Sequence, residues 1–178
     1  MTPKLFFVFD VESIGLFGEA YAVGYSVVER SGIERAASCY YIDPLDCSGD
    51  AEGYAWVKKN APSLGGNRDA ELLASAAELR EVFVGQLQQW QARDAVVAAD
   101  CPFPVEAKFL LDCRRQLGHG FRSPYPLIDV ASVVMAAGMD PTATFPRMDR
   151  ELPIHDPLAD ARQSARILIN CLNTLEEV

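Results

Sequence analysis

Two short stretches near opposite ends of the chain hold the residue types that could do chemistry. The first is Asp10-Val11-Glu12, which closes the apolar run Leu5-Phe6-Phe7-Val8-Phe9. In a strand, alternation sends Asp10 and Glu12 to one face and Val11 to the other. Two carboxylates so placed repel each other unless a cation lies between them. Hard oxygen ligands of this kind suit Mg2+ or Mn2+. On its own, the pair describes a solvated strand end equally well. Ser13-Ile14-Gly15-Leu16 follows, with a glycine where a backbone can come close to a ligand. The second stretch is His155-Asp156-Pro157-Leu158-Ala159-Asp160. Asp156-Pro157 reads as a helix N-cap followed by proline at the first helical position. That places His155 just before a helix. Asp160 falls about one turn inside it, bordering a buried face marked by Leu158 and Ala161. Singly, each has an ordinary reading: a cap or surface residue for His155, a solvated position for Asp160.

The elements that must position these residues can be read from periodicity. Residues 5–9 form a strand of the buried, continuous type. Residues 20–28 and 33–42 form two more, joined through the turn signal Ser31-Gly32 as an antiparallel hairpin. Residues 43–68 read as a loop with a short helix around Tyr54-Ala55-Trp56-Val57. Residues 69–92 form the clearest helix, with Leu72, Ala76, Leu79, Phe83, Leu87 and Trp90 along one face. Ala95–Ala99 is a short strand ending at Asp100, and Pro104 opens a helix to about Leu117. Leu127-Ile128 is a last short strand, with Asp129 capping a helix to about Ala137. Residues 138–156 are irregular. The final helix runs to about Asn173 on the stripe Leu158, Ala161, Ala165, Leu168 and Leu172. The expected fold class is α/β, a mixed five-stranded sheet with helices on both faces, in one domain over residues 1–178.

Composition narrows the function. Sixteen Lys and Arg against 25 Asp and Glu give a net charge of −9. This argues against a dedicated duplex-DNA binder, which needs a broad basic face. It leaves room for a nucleic-acid enzyme whose acids gather around metal ions. Hydrophobic residues make up 49% of the 178, enough for a sizeable core. The longest apolar runs are far too short to span a bilayer, and strand-like sequence right after Met1 predicts no signal peptide. The five cysteines form no CxxC pair and no zinc spacing, which predicts reduced thiols in a cytoplasmic protein.

Together the two stretches resemble a known family. Asp10-Val11-Glu12-Ser13-Ile14-Gly15-Leu16 is similar to the first exonuclease motif, D-x-E-x-x-G-L, and His155 through Asp160 is similar to the third, H-x-x-x-x-D. These are motifs of the DEDDh group of 3′–5′ exonucleases. His-Asp-x-Leu-x-Asp-Ala-Arg at 155–162 most resembles small bacterial ribonuclease-T-like exoribonucleases. The resemblance runs from residue 5 to about 172 and implies a ribonuclease-H-like fold. It departs from the family at the second motif, where Ala99-Asp100-Cys101-Pro102-Phe103-Pro104-Val105-Glu106 has no Phe-Asp pair. Two acids compete for the missing role. Asp100 is favoured as a rigid strand end close to Asp10, whereas Glu106 fits the helical register better and otherwise serves from behind the metal ligands.

The resemblance implies a set of roles. Asp10, Glu12, Asp100 and Asp160 would hold two divalent cations, Mg2+ or Mn2+, with Glu106 as alternative. His155 would act as general base on the attacking water. Gly15 would let the backbone approach the substrate closely, and Leu16 and Phe17 would pack against its terminal bases, although core packing suits Phe17 equally well. Arg147 and Arg150 are the best of the candidate phosphate contacts, ahead of Lys108, Arg114 and Arg115. The expected substrate is single-stranded or short RNA, held at its 3′ end and released as nucleoside 5′-monophosphates. A DNA exonuclease is the alternative, and a catalytically weak nucleic-acid-binding protein a third reading. The resemblance also implies a homodimer, for which Trp56, Tyr54 and Tyr40-Tyr41 would serve as interface or as core. His119 reads as a loop residue.

Overall fold

The computed structural model describes residues 4–61 and 69–176. Three strands come first, β1 (Leu5–Ser13), β2 (Ala20–Glu29) and β3 (Glu34–Tyr41). After them the chain alternates as α1 (Ala51–Asn60), β4 (Ala70–Leu72), α2 (Ala76–Gln91), β5 (Val96–Ala99), α3 (Val105–Leu117), β6 (Leu127–Asp129), α4 (Val130–Ala136) and α5 (Pro157–Glu176). All six strands join one sheet in the order β4-β3-β2-β1-β5-β6. β1, β2 and β3 form an antiparallel meander. β5 lies parallel to β1, β6 parallel to β5, and β4 parallel to β3.

The pleat of β1 separates two cores. Phe7, Phe9 and Val11 join Leu79, Phe83 and Leu87 of α2 and Phe109 of α3. Phe6 and Val8 join Val130 and Val134 of α4 and Leu168 and Cys171 of α5. Leu79, Phe83 and Leu87 are fully buried, each burial stabilising by about 1.5–3 kcal/mol. Phe83 is the hub of the first core, with ring centroids 5.2 Å from Phe9 and 5.1 Å from Phe109. The stripe expected on the last helix is realised, since Leu158, Ala161, Ala165 and Leu168 are all buried.

Three expectations change. The sheet has six strands rather than five, because Ala70–Leu72 pairs with Cys39–Tyr41 instead of opening the helix. The α2 helix starts at Ala76, where the Ser75 hydroxyl accepts from Glu78 N–H and the Glu78 carboxylate accepts from Ala74 N–H. Leu72 therefore leaves the apolar stripe and is 63% exposed. Strand β1 also continues beyond Asp10 to Ser13. Of the loop expected over 43–68, residues 62–68 lie outside the described residues. None of the five cysteines is paired, and no described helix is long and apolar enough to cross a membrane.

Candidate metal and active site

The site is built where the end of β1 meets the first turn of α5. Asp10 pairs with Gly24 and Glu12 with Ala22 in the β1–β2 ladder. A Cβ on Gly24 would lie 2.3 Å from Leu158 N and 2.4 Å from Pro157 C. Only glycine lets the start of α5 rest directly on β2, beside Asp10. Asp156 fixes that start by accepting from Leu158 N–H at 3.0 Å and Ala159 N–H at 3.1 Å. One turn on, Asp160 reaches the carboxylates of β1.

His155 sits just before α5 in the left-handed region, with φ of 62°. A non-glycine residue is held there only when its surroundings insist. Two contacts do so here. The His155 N–H donates to Asp160 Oδ2 at 3.1 Å, and the imidazole packs edge-on against Trp56 with ring centroids 4.8 Å apart. His155 Nδ1 lies 3.9 Å from Glu12 Oε1. Ligand atoms of Glu12, His155 and Asp160 all fall within 4.8 Å of one another.

Charge at this edge is poorly compensated. Asp10 and Glu12 accept no hydrogen bond from any described residue. Burial, then the charges of Glu106, Glu12, Asp160 and Asp100, hold the Asp10 carboxyl well above the usual range. Burial and the charges of Asp160, Glu106 and Asp156 push Glu12 up to about 8. Burial also raises Asp160, although Arg147 and the His155 N–H partly offset it.

Of the two acids of the second motif region, Glu106 is the one that touches β1. Glu106 is only 5% exposed and its Oε1 accepts from Val11 N–H at 3.2 Å, between Asp10 and Glu12. Burial raises it to about 7. It is also the strongest neighbouring charge on Asp10, whereas Asp100 is the weakest. Asp100 instead gathers with Cys101 and Asp129 at the ends of β5 and β6. Asp100 thus lies with Asp129, while Glu106 lies against the backbone between Asp10 and Glu12. Pairing of β5 with β1 ends at Ala98 and Val8, the last residue of β5 pairs with Asp129 of β6, and the first turn of α3 reaches over to β1.

Beside the carboxylates lies an open groove of about 710 Å³, walled by Glu12, Gly15, Leu16, Phe17, Trp56 and Val105. Gly15 turns the chain at its rim with φ of 70°. Leu16 and Phe17 are 62% and 68% exposed, so Phe17 belongs to the groove and not to the core. Trp56, read as interface or core, is a groove wall that also holds His155. Its helical position beside Gly53 carried no signal of this. Tyr40, by contrast, is core.

The candidate phosphate contacts are mostly engaged elsewhere. Arg147 is paired with Asp160. Lys108 and Arg115 both pair with Asp112, and Arg114 donates to the carbonyl oxygens of Gly118 and Phe121. Arg150 is exposed, but it borders a separate small hollow with Glu34, Arg162 and Arg166. Asp129 caps α4, accepting from Ala131 N–H at 3.1 Å. His119 lies in a short 3-10 turn over Gly118–Gly120. Comparison with protein-family models and with curated proteins gave no match.

Proposed function

We propose that this chain is a metal-dependent 3′–5′ exonuclease of the DEDDh type, on a ribonuclease-H-like sheet, that shortens single-stranded RNA. The observation carrying this reading is the convergence of Glu12, His155 and Asp160, from a strand and from both sides of a helix start, with Asp10 and Glu106 beside them. The donor set fits divalent cations: hard carboxylate oxygens, buried, with too few N–H donors to balance their charge. Asp10, Glu12 and Asp160 would hold Mg2+ or Mn2+, with Glu106 as the fourth acid. Bound there, divalent cations supply positive charge against the phosphodiester and acidify water.

The chain's own residues do the rest. Exposed Leu16 and Phe17 and the Trp56 ring offer apolar faces on which a terminal base stacks, independent of its identity. That contact sets the 3′-terminal phosphodiester beside Glu12 and His155. Imidazole suits proton transfer near neutrality, and His155 takes the proton of the attacking water. Water oxygen bonds to phosphorus, the bond to the 3′-oxygen of the preceding nucleotide breaks, and that oxygen takes a proton from solvent. The products are a nucleoside 5′-monophosphate and a chain one residue shorter with a free 3′-hydroxyl. The preference for RNA and the cytoplasmic setting come from the resemblance and from the unpaired thiols.

The test is a time course on matched 5′-labelled single strands of RNA and DNA, with Mn2+ or Mg2+, with EDTA, and with Asp10→Ala. A ladder receding from the 3′ end, lost with EDTA and in the variant, is the expected result. The RNA-to-DNA rate ratio names the substrate. No ladder on either strand would turn the reading to a nucleic-acid-binding protein without catalysis.

A further inference from the structure

Among the described residues, Asp160 is the one acid of this site that carries an arginine. Arg147 Nη1 donates to Asp160 Oδ1 and, at 2.7 Å, to the Glu151 carbonyl oxygen. Asp10, Glu12 and Glu106 pair with no arginine or lysine among the described residues. The neighbouring arginines are fastened by two nitrogens each, Arg162 to Glu34 and Arg166 to the buried Glu151. Arg147 holds its carboxylate by one.

The backbone bearing Arg147 is well anchored. Arg166 grips both oxygens of Glu151 and the carbonyl oxygen of Pro146, and Met148 N–H donates to Glu151. Any rearrangement of Arg147 therefore falls to its side chain. That side chain also lines a hollow of about 330 Å³, with Asp100, Thr144, Phe145, His155 and Gln163. This hollow meets the carboxylates at His155, and it shares no lining residue with the Phe17 groove.

We propose that Arg147 is an exchangeable cation that neutralises Asp160 in the unloaded site and, once a divalent cation takes that carboxylate, turns into the neighbouring hollow to bind a phosphodiester of the substrate strand. The inference rests on the nuclease reading. A guanidinium and a divalent ion cannot share one carboxylate oxygen without repulsion. Phosphate offers the displaced guanidinium an equally good partner. Arg147 thus competes with the cation when no nucleic acid is present and rewards it when a strand is bound. Cation and strand then tighten each other's binding by the same factor, as linkage requires.

Calorimetric titration of Mn2+ into the metal-free full chain tests this, for the natural protein, Arg147→Met and Arg147→Lys. A thermal melt establishes that each variant is folded. Arg147→Met is expected to bind Mn2+ about fivefold tighter, as removal of a partly buried competing pair allows. With Ca2+ as cation, it is expected to bind five-residue oligouridylate and oligothymidylate about tenfold more weakly. Arg147→Lys, which keeps a charge, should fall between. Unchanged or weaker Mn2+ binding by folded Arg147→Met would make Arg147 a fixed structural partner and overturn the exchange. Tighter Mn2+ binding with unchanged oligonucleotide affinity would overturn its phosphate half. A natural protein that binds Mn2+ nowhere would defeat the nuclease reading itself, and the exchange with it.

Discussion

Asp129 and Glu12 lie towards the same end of the parallel strands β1, β5 and β6 and use their oxygens in opposite ways. Asp129 Oδ1 accepts from Ala131 N–H at 3.1 Å and Cys101 N–H at 3.2 Å, and Oδ2 accepts from the Ser132 hydroxyl. Its charge is absorbed by a helix start and a turn. Glu12 is equally close to other acids but has no hydrogen-bond donor among the described residues and only the His155 ring beside it, at 3.9 Å. Both groups contain three potential metal ligands within 4.8 Å. The difference is what surrounds them. A carboxylate satisfied by its own backbone holds structure, while a buried one left short of donors is relieved only by a proton or a cation.

Removing one carboxylate from each region, Asp10 beside Glu12 and Asp129 itself, gives the sharpest test of that contrast. Asp10→Ala is expected to lower the rate of 3′-end hydrolysis at least about a thousandfold, since several kcal/mol of charge stabilisation is lost. Asp129→Asn should leave that rate within a few-fold. The same labelled-strand assay reads both. Comparable losses from the two variants would dissolve the distinction.

His155→Ala is next in size, with a loss of about 10²–10⁴-fold in turnover. Its affinity for Mn2+, read by calorimetry, should stay near that of the natural protein if His155 moves protons and does not hold the cation. Glu106→Gln against Asp100→Asn follows. Glu106→Gln should cost about 10–100-fold in Mn2+ affinity or rate, as loss of a ligand-supporting carboxylate does. Asp100→Asn should cost less. The reverse order would restore Asp100 as the second-motif acid.

The smallest effects are on stability. Glu12 is raised to about 8 and Glu106 to about 7. Between an unfolded value near 4.5 and these folded values, the native state keeps protons that the unfolded chain releases. Stability from these groups is present below that window and is lost as pH rises through it. The metal-free melting temperature should therefore fall from pH 5 to pH 8, by about 2–4 °C for each kcal/mol lost. Adding Mn2+ at pH 8 should restore it. Asp129→Ala should cost only about 1 kcal/mol, the usual worth of a cap, and be indifferent to Mn2+.

Much of the scaffold was legible because its signals are local. Phe7 and Phe9, alternating with Phe6 and Val8, specify a strand buried on both faces. Asp156-Pro157 specifies a helix start, and Leu79, Phe83 and Leu87 specify the face of α2. Leu72 misled because its spacing continues that stripe by chance, while its pairing partner Tyr41 lies far back in sequence. No local pattern encodes a parallel ladder of three residues. The site was half legible for the same reason. Asp10, Glu12, His155 and Asp160 stand out by type and spacing, whereas the role of Trp56 depends on where α1 docks.

From its sequence alone, this protein is an acidic α/β chain with two well-separated acid-bearing motifs, each placed at the end of an element. Periodicity and capping determine that much, because they are properties of neighbouring residues. Tertiary structure alone decided the partners: Glu106 on the backbone of β1, Arg147 on Asp160, Trp56 against His155, and Gly24 under the first turn of α5. Each of these contacts joins separate elements of the fold. Which carboxylates end up compensated and which do not is set only when the layers pack, because a buried charge is governed by whichever donors the fold brings within reach.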